Sequence, residues 1–159
     1  MIKKTNAMRL LDSAKIKYEV LEYEVDENDL SGMHISANIG LPPKTVFKTL
    51  VAKGDKNGYA VFCIPTDREL DLKAAAEITG DKNIEMIHVK DLLPLTGYIR
   101  GGCSPVGMKK KFPTFLDESA LELEKITVSA GVRGAVVFLK PSELIAYTNA
   151  KTAKITLDK

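Results

Sequence analysis

Apolar residues recur along this chain with two periods, one helical and one alternating, and these periods divide the chain into short elements. Met8, Leu11 and Ala14 stand at helical spacing behind a Thr5 or Asn6 that can cap a helix. Residues 17–25 (KYEVLEYEV) then alternate as a half-buried strand does. The chain is therefore predicted to open with a helix followed by a strand.

A proline pair and an Asn-Gly step mark the boundaries of the next elements. Residues 30–41 predict a short helix that ends at Gly40, because Pro42 and Pro43 cannot continue it. GDKNG at residues 54–58 predicts a hairpin turn, since Asn-Gly tolerates the positive φ angles of tight hairpins. This turn joins two predicted strands, TVFKTLVAK at residues 45–53 and YAVFCIP at residues 59–65.

A third helix is predicted over residues 69–79, where Leu70, Ala74 and Ile78 share one face and Gly80 supplies a cap. The remaining pattern predicts a strand NIEMI at 83–87, a helix VKDLLPLT at 89–96, strands PTFLDES at 113–119, KITVSAG at 125–131 and RGAVVFL at 133–139, a helix PSELIAYT at 141–148, and a small edge strand in AKITLDK at 153–159.

The order of these elements predicts the class of fold. Strands occur mostly as hairpins or consecutive runs, with helices inserted irregularly, which argues against a doubly wound parallel sheet. We expect an α/β protein of the α+β type, with a mixed, largely antiparallel sheet or barrel flanked by helices. The chain shows no internal repeat and no linker, so residues 1–159 are expected to form a single domain.

Composition limits the cellular location and the kinds of partner that are expected for the protein. A hydrophobic share of 45% and a charged share of 28% are typical of a soluble globular chain. No apolar run approaches the roughly 20 residues of a membrane span, and the first residues lack the apolar core of a signal peptide. We expect a cytoplasmic protein without membrane contact. The net charge of +2 predicts that any nucleic-acid contact is focal, and we expect no binding to DNA.

Cysteine and histidine are too few and too scattered for several familiar kinds of site. Cys63 lies in an apolar run and Cys103 in a glycine-rich loop, so both are expected to be reduced thiols. With only His34 and His88 as partners, the spacing matches neither a zinc site nor a Ser-His-Asp triad. We expect no metal and no cofactor.

The glycine-rich stretch TGYIRGGCSPVGMKKK at residues 96–111 leaves several interpretations open. It lacks the spacing of a P-loop and of a dinucleotide fingerprint. Its backbone N–H groups could bind a phosphate, a carboxylate or an oxyanion, and it could equally be a plain turn. Lys109, Lys110 and Lys111 are either a solvated face or a phosphate contact. A nucleophilic Cys103 would need a base that the pattern does not supply.

Lys48 is a second unusual position, because it lies between Val46 and Leu50 in a predicted strand. If that strand face pointed inward, the ammonium group would be costly to bury unless it faced a cleft. In a cleft it could hold an anionic or ester-bearing ligand. The period of the strand leaves the direction of the side chain open.

Four motifs occur in an order and spacing that resemble the YbaK family of aminoacyl-tRNA deacylases: FKTLV at 47–51, LDLKAAAE at 70–77, TGYIRGGCSPVGMKK at 96–110 and VSAGVRG at 128–134. The resemblance spans the chain from about residue 5 to residue 147. It is greatest to the Cys-tRNA(Pro) deacylase branch, free-standing relatives of the editing domain inserted in many prolyl-tRNA synthetases. The alternatives are an Ala-tRNA(Pro) deacylase of the same family, a non-catalytic tRNA- or synthetase-binding module and, as a third and weaker option, a hydrolase of small-molecule esters.

The resemblance implies the fold shared by YbaK and synthetase-associated editing domains, and a set of site residues. Lys48 and Gly101 would serve catalysis, the substrate would contact Tyr23, Thr49, Gly102 and Ser129, and Lys109, Lys110 and Lys111 would contact tRNA. It also implies that the cysteinyl thiol of the substrate attacks its own ester and leaves as a thiolactone, so that Cys103 has no chemical role. The implied partners are Cys-tRNA(Pro) and prolyl-tRNA synthetase in a ternary complex.

Overall fold

A computed structural model describes residues 2–157 of the chain and contains five short α-helices, two 3₁₀ helices (Pro43–Thr45 and Glu118–Glu122) and eight strands in that range. The helices are α1 (Asn6–Ser13), α2 (Gly32–Ile39), α3 (Leu72–Thr79), α4 (Val89–Thr96) and α5 (Pro141–Thr148). The strands are β1 (Tyr18–Glu22), β2 (Phe47–Gly54), β3 (Gly58–Pro65), β4 (Ile84–Met86), β5 (Thr114–Asp117), β6 (Ile126–Ser129), β7 (Ala135–Leu139) and β8 (Lys151–Ala153). Each α-helix has eight residues, fewer than the roughly 20 needed to cross a bilayer.

The strands form two open sheets rather than a closed barrel in the described part of the chain. One sheet has the order β1-β7-β6 and is antiparallel throughout. The other has the order β4-β2-β3-β5-β8, with parallel pairing between β3 and β5 and between β5 and β8. A parallel bridge between Val46 and Thr127 connects the two sheets. The predicted mixed, largely antiparallel sheet flanked by helices is confirmed.

Two clusters of buried side chains hold these layers together. One lies between the two sheets, α1 and α5, and includes Leu11, Val51, Val128 and Leu139. The other lies between the five-stranded sheet and α3, where the Phe62 and Phe115 rings stack at 5.4 Å between centroids. With both faces covered, β3 is buried almost continuously from Ala60 to Pro65 rather than at alternate positions.

Local capping interactions explain most of the helix boundaries. The Thr5 hydroxyl accepts a hydrogen bond from the Met8 N–H, as expected of a cap. Helices α2 and α3 end at Gly40 and Gly80, whose positive φ angles of 72° and 79° suit glycine. These three predicted caps are confirmed.

The predicted start of α3 and the predicted final strand are each displaced. Asp71 caps α3 by accepting from the N–H groups of Lys73 and Ala74, so the helix begins after Leu70. Leu70 instead forms an isolated bridge with Thr156. The last strand, β8, lies before most of the predicted segment, whose residues 158 and 159 are outside the described range. Cys63 and Cys103 are free, as predicted, and both are buried.

The carboxylate of Asp81 organises the hairpin loop between β2 and β3. One oxygen accepts from the N–H groups of Lys56 and Asn57 at 2.9 and 2.8 Å, and the other accepts from the Thr79 hydroxyl at 2.6 Å. The Thr79 hydroxyl and these backbone N–H groups lower the pKa of Asp81 below its ordinary value. The loop is therefore held by a charged acceptor.

We expect Asp81→Ala to lower the melting temperature at pH 7, because two loop N–H groups lose their acceptor. A carboxyl with a lowered folded-state pKa stabilises the protein above its unfolded-state pKa, near ~3.9, and this contribution disappears as the pH falls through the folded-state value. The difference in melting temperature should therefore shrink below about pH 4. Thermal unfolding across pH measures this, with Glu77→Ala on the exposed side of α3 as control; an unchanged difference at low pH would contradict the assignment.

Candidate active site

A cavity of about 370 Å³ opens between α2, β2, the start of α4 and the glycine-rich loop. The bridge between Val46 and Thr127 places the end of β6 beside β2, so residues far apart in sequence meet there. Of the residues predicted to form the site, the cavity brings together Lys48, Thr49, Gly101 and Ser129. Much of the remaining lining is apolar, as in most small-ligand sites.

Lys48 faces this cavity and is half-buried there. Its ammonium group donates to the Thr66 carbonyl oxygen at 3.5 Å, a long contact that leaves donor capacity for a ligand. Burial lowers the pKa of Lys48, while the carboxylates of Glu69 and Asp67 act in the opposite direction. A partly desolvated cation of this kind favours an anionic ligand or a developing negative charge.

Two residues with hydroxyl groups, Ser129 and Thr49, line the same cavity as Lys48. The Ser129 hydroxyl oxygen accepts from the Gly131 N–H at 3.1 Å, which orients the oxygen and leaves its O–H free to donate. The Thr49 hydroxyl lies 3.8 Å from the Cys63 sulfur in the adjacent strand. The cavity thus offers a cation and hydroxyl groups on fixed strands.

The glycine-rich loop contributes backbone rather than side chains. Gly101 has a φ of 87°, and the Gly102 N–H donates to the Ile99 carbonyl at 2.9 Å, closing a tight turn. The N–H groups of Gly101 and Cys103 donate to no acceptor within residues 2–157, and both residues line the cavity. Gly102 lies outside the lining, and its Cβ position would be 3.2 Å from the Arg133 nitrogen. The loop therefore leaves two donors for a ligand.

Tyr23 and the three consecutive lysines lie away from the cavity lining. The Tyr23 N–H donates to the Gly134 carbonyl, and its ring packs edge-on against His34 of α2 at 6.5 Å between centroids. Lys109, Lys110 and Lys111 are exposed at the far end of the glycine-rich loop, where the Lys109 N–H donates to the Thr96 carbonyl. Tyr23 supports a wall of the cavity, and the lysines form an outer basic surface.

The two thiols are poorly suited to nucleophilic catalysis. Burial raises the pKa of Cys103 and of Cys63 to about 12, so neither is a thiolate at neutral pH. His88 lines the same cavity as Cys103, but it does not hold the Cys103 sulfur as a thiolate. The geometry places a cation, hydroxyls and N–H donors around a space without an activated nucleophile.

Sequence reasoning did not select Arg100 or Thr66, although both line the cavity. Arg100 could have been selected from the sequence because it lies directly before Gly101 in the glycine-rich stretch. The role of Thr66 depends on its carbonyl group, which carries no side-chain signature. Between residues 2 and 157, no cluster of three or more His, Cys, Asp or Glu side chains is arranged to hold a metal ion.

A cavity lined by a half-buried cation and by unpaired N–H groups is suited to a ligand with an anionic or ester group. Residues 34–147 match the family described as the aminoacyl-tRNA editing domain. The chain belongs to this family, which confirms the resemblance and the class of enzyme predicted from the four motifs.

Three relatives illustrate the match. EbsC of Enterococcus faecalis, whose name provisionally describes a Cys-tRNA(Pro)/Cys-tRNA(Cys) deacylase, is 47% identical over 153 residues, covering 96% of this chain and 93% of that protein. A proline–tRNA ligase of Fervidobacterium nodosum is 34% identical over 71 residues, 45% of this chain and 12% of the ligase. A crystal structure described provisionally as a trans-editing enzyme for prolyl tRNA synthetase shares the fold, with a TM-score of 0.83, 24% identity and coverage of 98% and 100%.

We expect Gly101→Ala to reduce hydrolysis of an aminoacyl-tRNA ester more than it reduces stability. The positive φ strains any L side chain by about 1 kcal/mol, and the new Cβ would lie 3.3 Å from the Arg133 Nε and 3.4 Å from a Leu30 methyl group. Gly58→Ala is the matched control, because Gly58 has a φ of 76° with open space around it and lies in the hairpin. Equal losses of activity in the two variants would contradict a role for the loop backbone.

Lys48→Met is expected to raise the melting temperature near neutral pH while abolishing hydrolysis, because it removes a partly desolvated charge from the cavity. Since the folded-state pKa of Lys48 lies below its unfolded value, the wild-type protein gains stability as the pH rises through the folded value towards ~10.4. The advantage of the variant should shrink over that range. Thermal unfolding between pH 7 and pH 10 tests this, with the exposed Lys73→Met as control; a destabilised variant at neutral pH would refute it.

Proposed function

We propose that this protein is a trans-editing hydrolase that removes cysteine wrongly attached to tRNA(Pro). The observation that carries the proposal is one cavity lined by Lys48 and by Gly101 and Cys103, whose backbone N–H groups donate to no acceptor within residues 2–157. The 47% identity to EbsC over nearly the whole chain supports cysteine as the amino acid. Such a correction is needed because a synthetase pocket discriminates weakly between amino acids of similar size.

The chemistry suits a substrate that supplies its own nucleophile. The cysteinyl sulfur forms a bond to its own carbonyl carbon, the bond from that carbon to the ribose oxygen breaks, and the thiol proton ends on the ribose oxygen. The products are a thiolactone and the free tRNA end, and water then adds to the thiolactone carbonyl and breaks its C–S bond to give free cysteine. Holding sulfur and carbonyl in attack geometry supplies a large effective molarity, up to ~10⁵ M or more.

Each group in the cavity has a place in this scheme. The N–H groups of Gly101 and Cys103 bind the carbonyl oxygen as negative charge develops on it. Lys48 favours the thiolate form of the substrate thiol, which at an ordinary pKa near ~8.5 is only a few per cent ionised at neutral pH. Ser129 and Thr49 bind the aminoacyl group and the terminal ribose. Cys103 contributes its backbone alone.

The remaining predicted contacts are those of the three lysines with tRNA, those of Tyr23 and Gly102 with the substrate, and the association with a synthetase. Lys109, Lys110 and Lys111 are exposed beyond the cavity and would meet phosphates of the acceptor end. Tyr23 and Gly102 would act on the substrate through the walls they support. The partial match to proline–tRNA ligases supports an association with prolyl-tRNA synthetase, which would select the tRNA in a ternary complex.

We expect the purified protein to release cysteine from Cys-tRNA(Pro) and to act little on Ala-tRNA(Pro), because alanine has no thiol. Lys48→Ala should lower the rate by about 10²-fold or more, as loss of an electrostatic stabiliser does. Cys103→Ala should keep most of the activity. The measurement is release of labelled amino acid from the two charged tRNAs.

Three results would contradict the proposal. Faster release of alanine would favour the Ala-tRNA(Pro) alternative. Salt-dependent tRNA binding without turnover would favour a non-catalytic binding module. Loss of activity in Cys103→Ala, with a normal melting temperature, would restore an enzyme nucleophile.

A further inference from the structure

Arg133 lies in the turn between β6 and β7 and reaches across to the glycine-rich loop. Its Nε donates to the Arg100 carbonyl oxygen at 2.8 Å, joining residues 33 positions apart in the chain. Arg133 does not line the cavity, whereas Gly101, the next residue after that carbonyl, does. The guanidinium group therefore contacts a loop that lines the cavity without itself forming part of the lining.

Because of the geometry of the peptide group, this contact also determines the direction in which the Gly101 N–H points. All peptide bonds within residues 2–157 are trans, and in a trans peptide the C=O and N–H groups point in opposite directions. With the Arg100 carbonyl held towards Arg133, the Gly101 N–H must point away from Arg133. This N–H has no acceptor within residues 2–157.

We propose that Arg133 is a positioning residue that directs the Gly101 N–H into the cavity, where it meets the substrate carbonyl. The inference rests on the proposed function for the identity of that substrate. A hydrogen bond from a charged donor is shorter and stronger than a neutral one, so it also polarises the peptide group. A more polarised peptide makes the N–H a better donor to a developing oxyanion.

The glycine-rich loop and the turn that contains Arg133 pack closely, and this packing restricts movement at the contact. A Cβ at Gly101 would lie 3.3 Å from the Arg133 Nε, and a Cβ at Gly102 would lie 3.2 Å from the Arg133 backbone nitrogen. The Gly102 N–H is bound to the Ile99 carbonyl, which holds the other side of the turn. Because Gly101 and Gly102 carry no side chains, the Arg133 guanidinium can pack directly against the loop and reach the Arg100 carbonyl oxygen.

Lysine is a poor substitute at this position. The planar guanidinium presents its Nε–H in a fixed direction, whereas a lysine ammonium ends a flexible stem and is strongly hydrated. Arg133→Lys therefore keeps the charge and loses the directed donor. This variant separates the orientation of the Gly101 peptide from the simple presence of a positive charge.

The experiment compares wild type with Arg133→Met, Arg133→Lys and the control Arg9→Met, which alters an exposed arginine of α1. Release of cysteine from Cys-tRNA(Pro) gives kcat and KM, and the amide ¹H–¹⁵N resonance of Gly101 reports its hydrogen bonding. We expect both Arg133 variants to lose about 10- to 100-fold in kcat, less than the ~10²–10³-fold of a deleted oxyanion donor. KM should change by less than about 3-fold, because the ground-state carbonyl needs this donor less than the oxyanion does.

The Gly101 amide resonance should move in both Arg133 variants and stay in place in Arg9→Met. A further variant, Arg133→Ala, leaves space for added methylguanidinium, which should restore part of the lost kcat by supplying the missing donor. An unchanged kcat and an unchanged Gly101 resonance in Arg133→Met would overturn the inference.

The inference and the proposed function can fail separately. If wild type releases no cysteine, the proposed function is lost, and the Gly101 resonance alone decides whether Arg133 holds this peptide. If wild type is active and Lys48→Ala is not, while Arg133→Lys matches wild type in kcat, only the positioning role is lost. If Arg133→Met does not fold, Arg133→Lys carries the same two measurements.

Discussion

The bridge between Val46 and Thr127 is the contact on which the site depends. Both residues are almost fully buried, and their pairing joins the start of β2 in the five-stranded sheet to β6, an edge strand of the three-stranded sheet. Lys48 follows on one side of the bridge and Ser129 on the other, so the cavity has one wall from each sheet. The turn after β6 then brings Arg133 against the glycine-rich loop. A cation, a hydroxyl and directed N–H groups are thus assembled by one junction.

The position of Lys48 lowers the stability of the folded protein but provides the cavity with a cation that can act on a ligand. Placing Lys48 in a largely apolar cavity disfavours its charged form, and the nearby Glu69 and Asp67 offset only part of that effect. The same desolvation strengthens the interaction of the ammonium with negative charge on a ligand. Because the reacting thiol belongs to the proposed substrate, the protein needs orientation and electrostatics rather than a nucleophile of its own. The high pKa of the Cys103 thiol is compatible with a site in which the substrate, and not the protein, supplies the nucleophile.

The elements that could be predicted from sequence are those whose boundaries depend on neighbouring residues. The cap at Thr5, the helix ends at Gly40 and Gly80, and the hairpin joining Gly54 to Gly58 all follow from interactions within a few positions. The start of α3 was placed too early because Leu70 pairs with Thr156, a partner 86 positions away. The last strand was displaced for a similar reason, since β8 is positioned by its parallel pairing with β5. Such pairings carry no local signature.

The sequence by itself determined the class of fold, the family and the candidate residues Lys48, Gly101 and Ser129, because short motifs record both local conformation and residue chemistry. Only the tertiary structure decided that Lys48 points into a cavity, since a strand of period two permits either face. It also decided that Gly102 uses its N–H within the loop, and that Arg133 holds the peptide before Gly101. These last contacts depend on how two distant segments approach each other, and that approach is set by the packing of the two sheets.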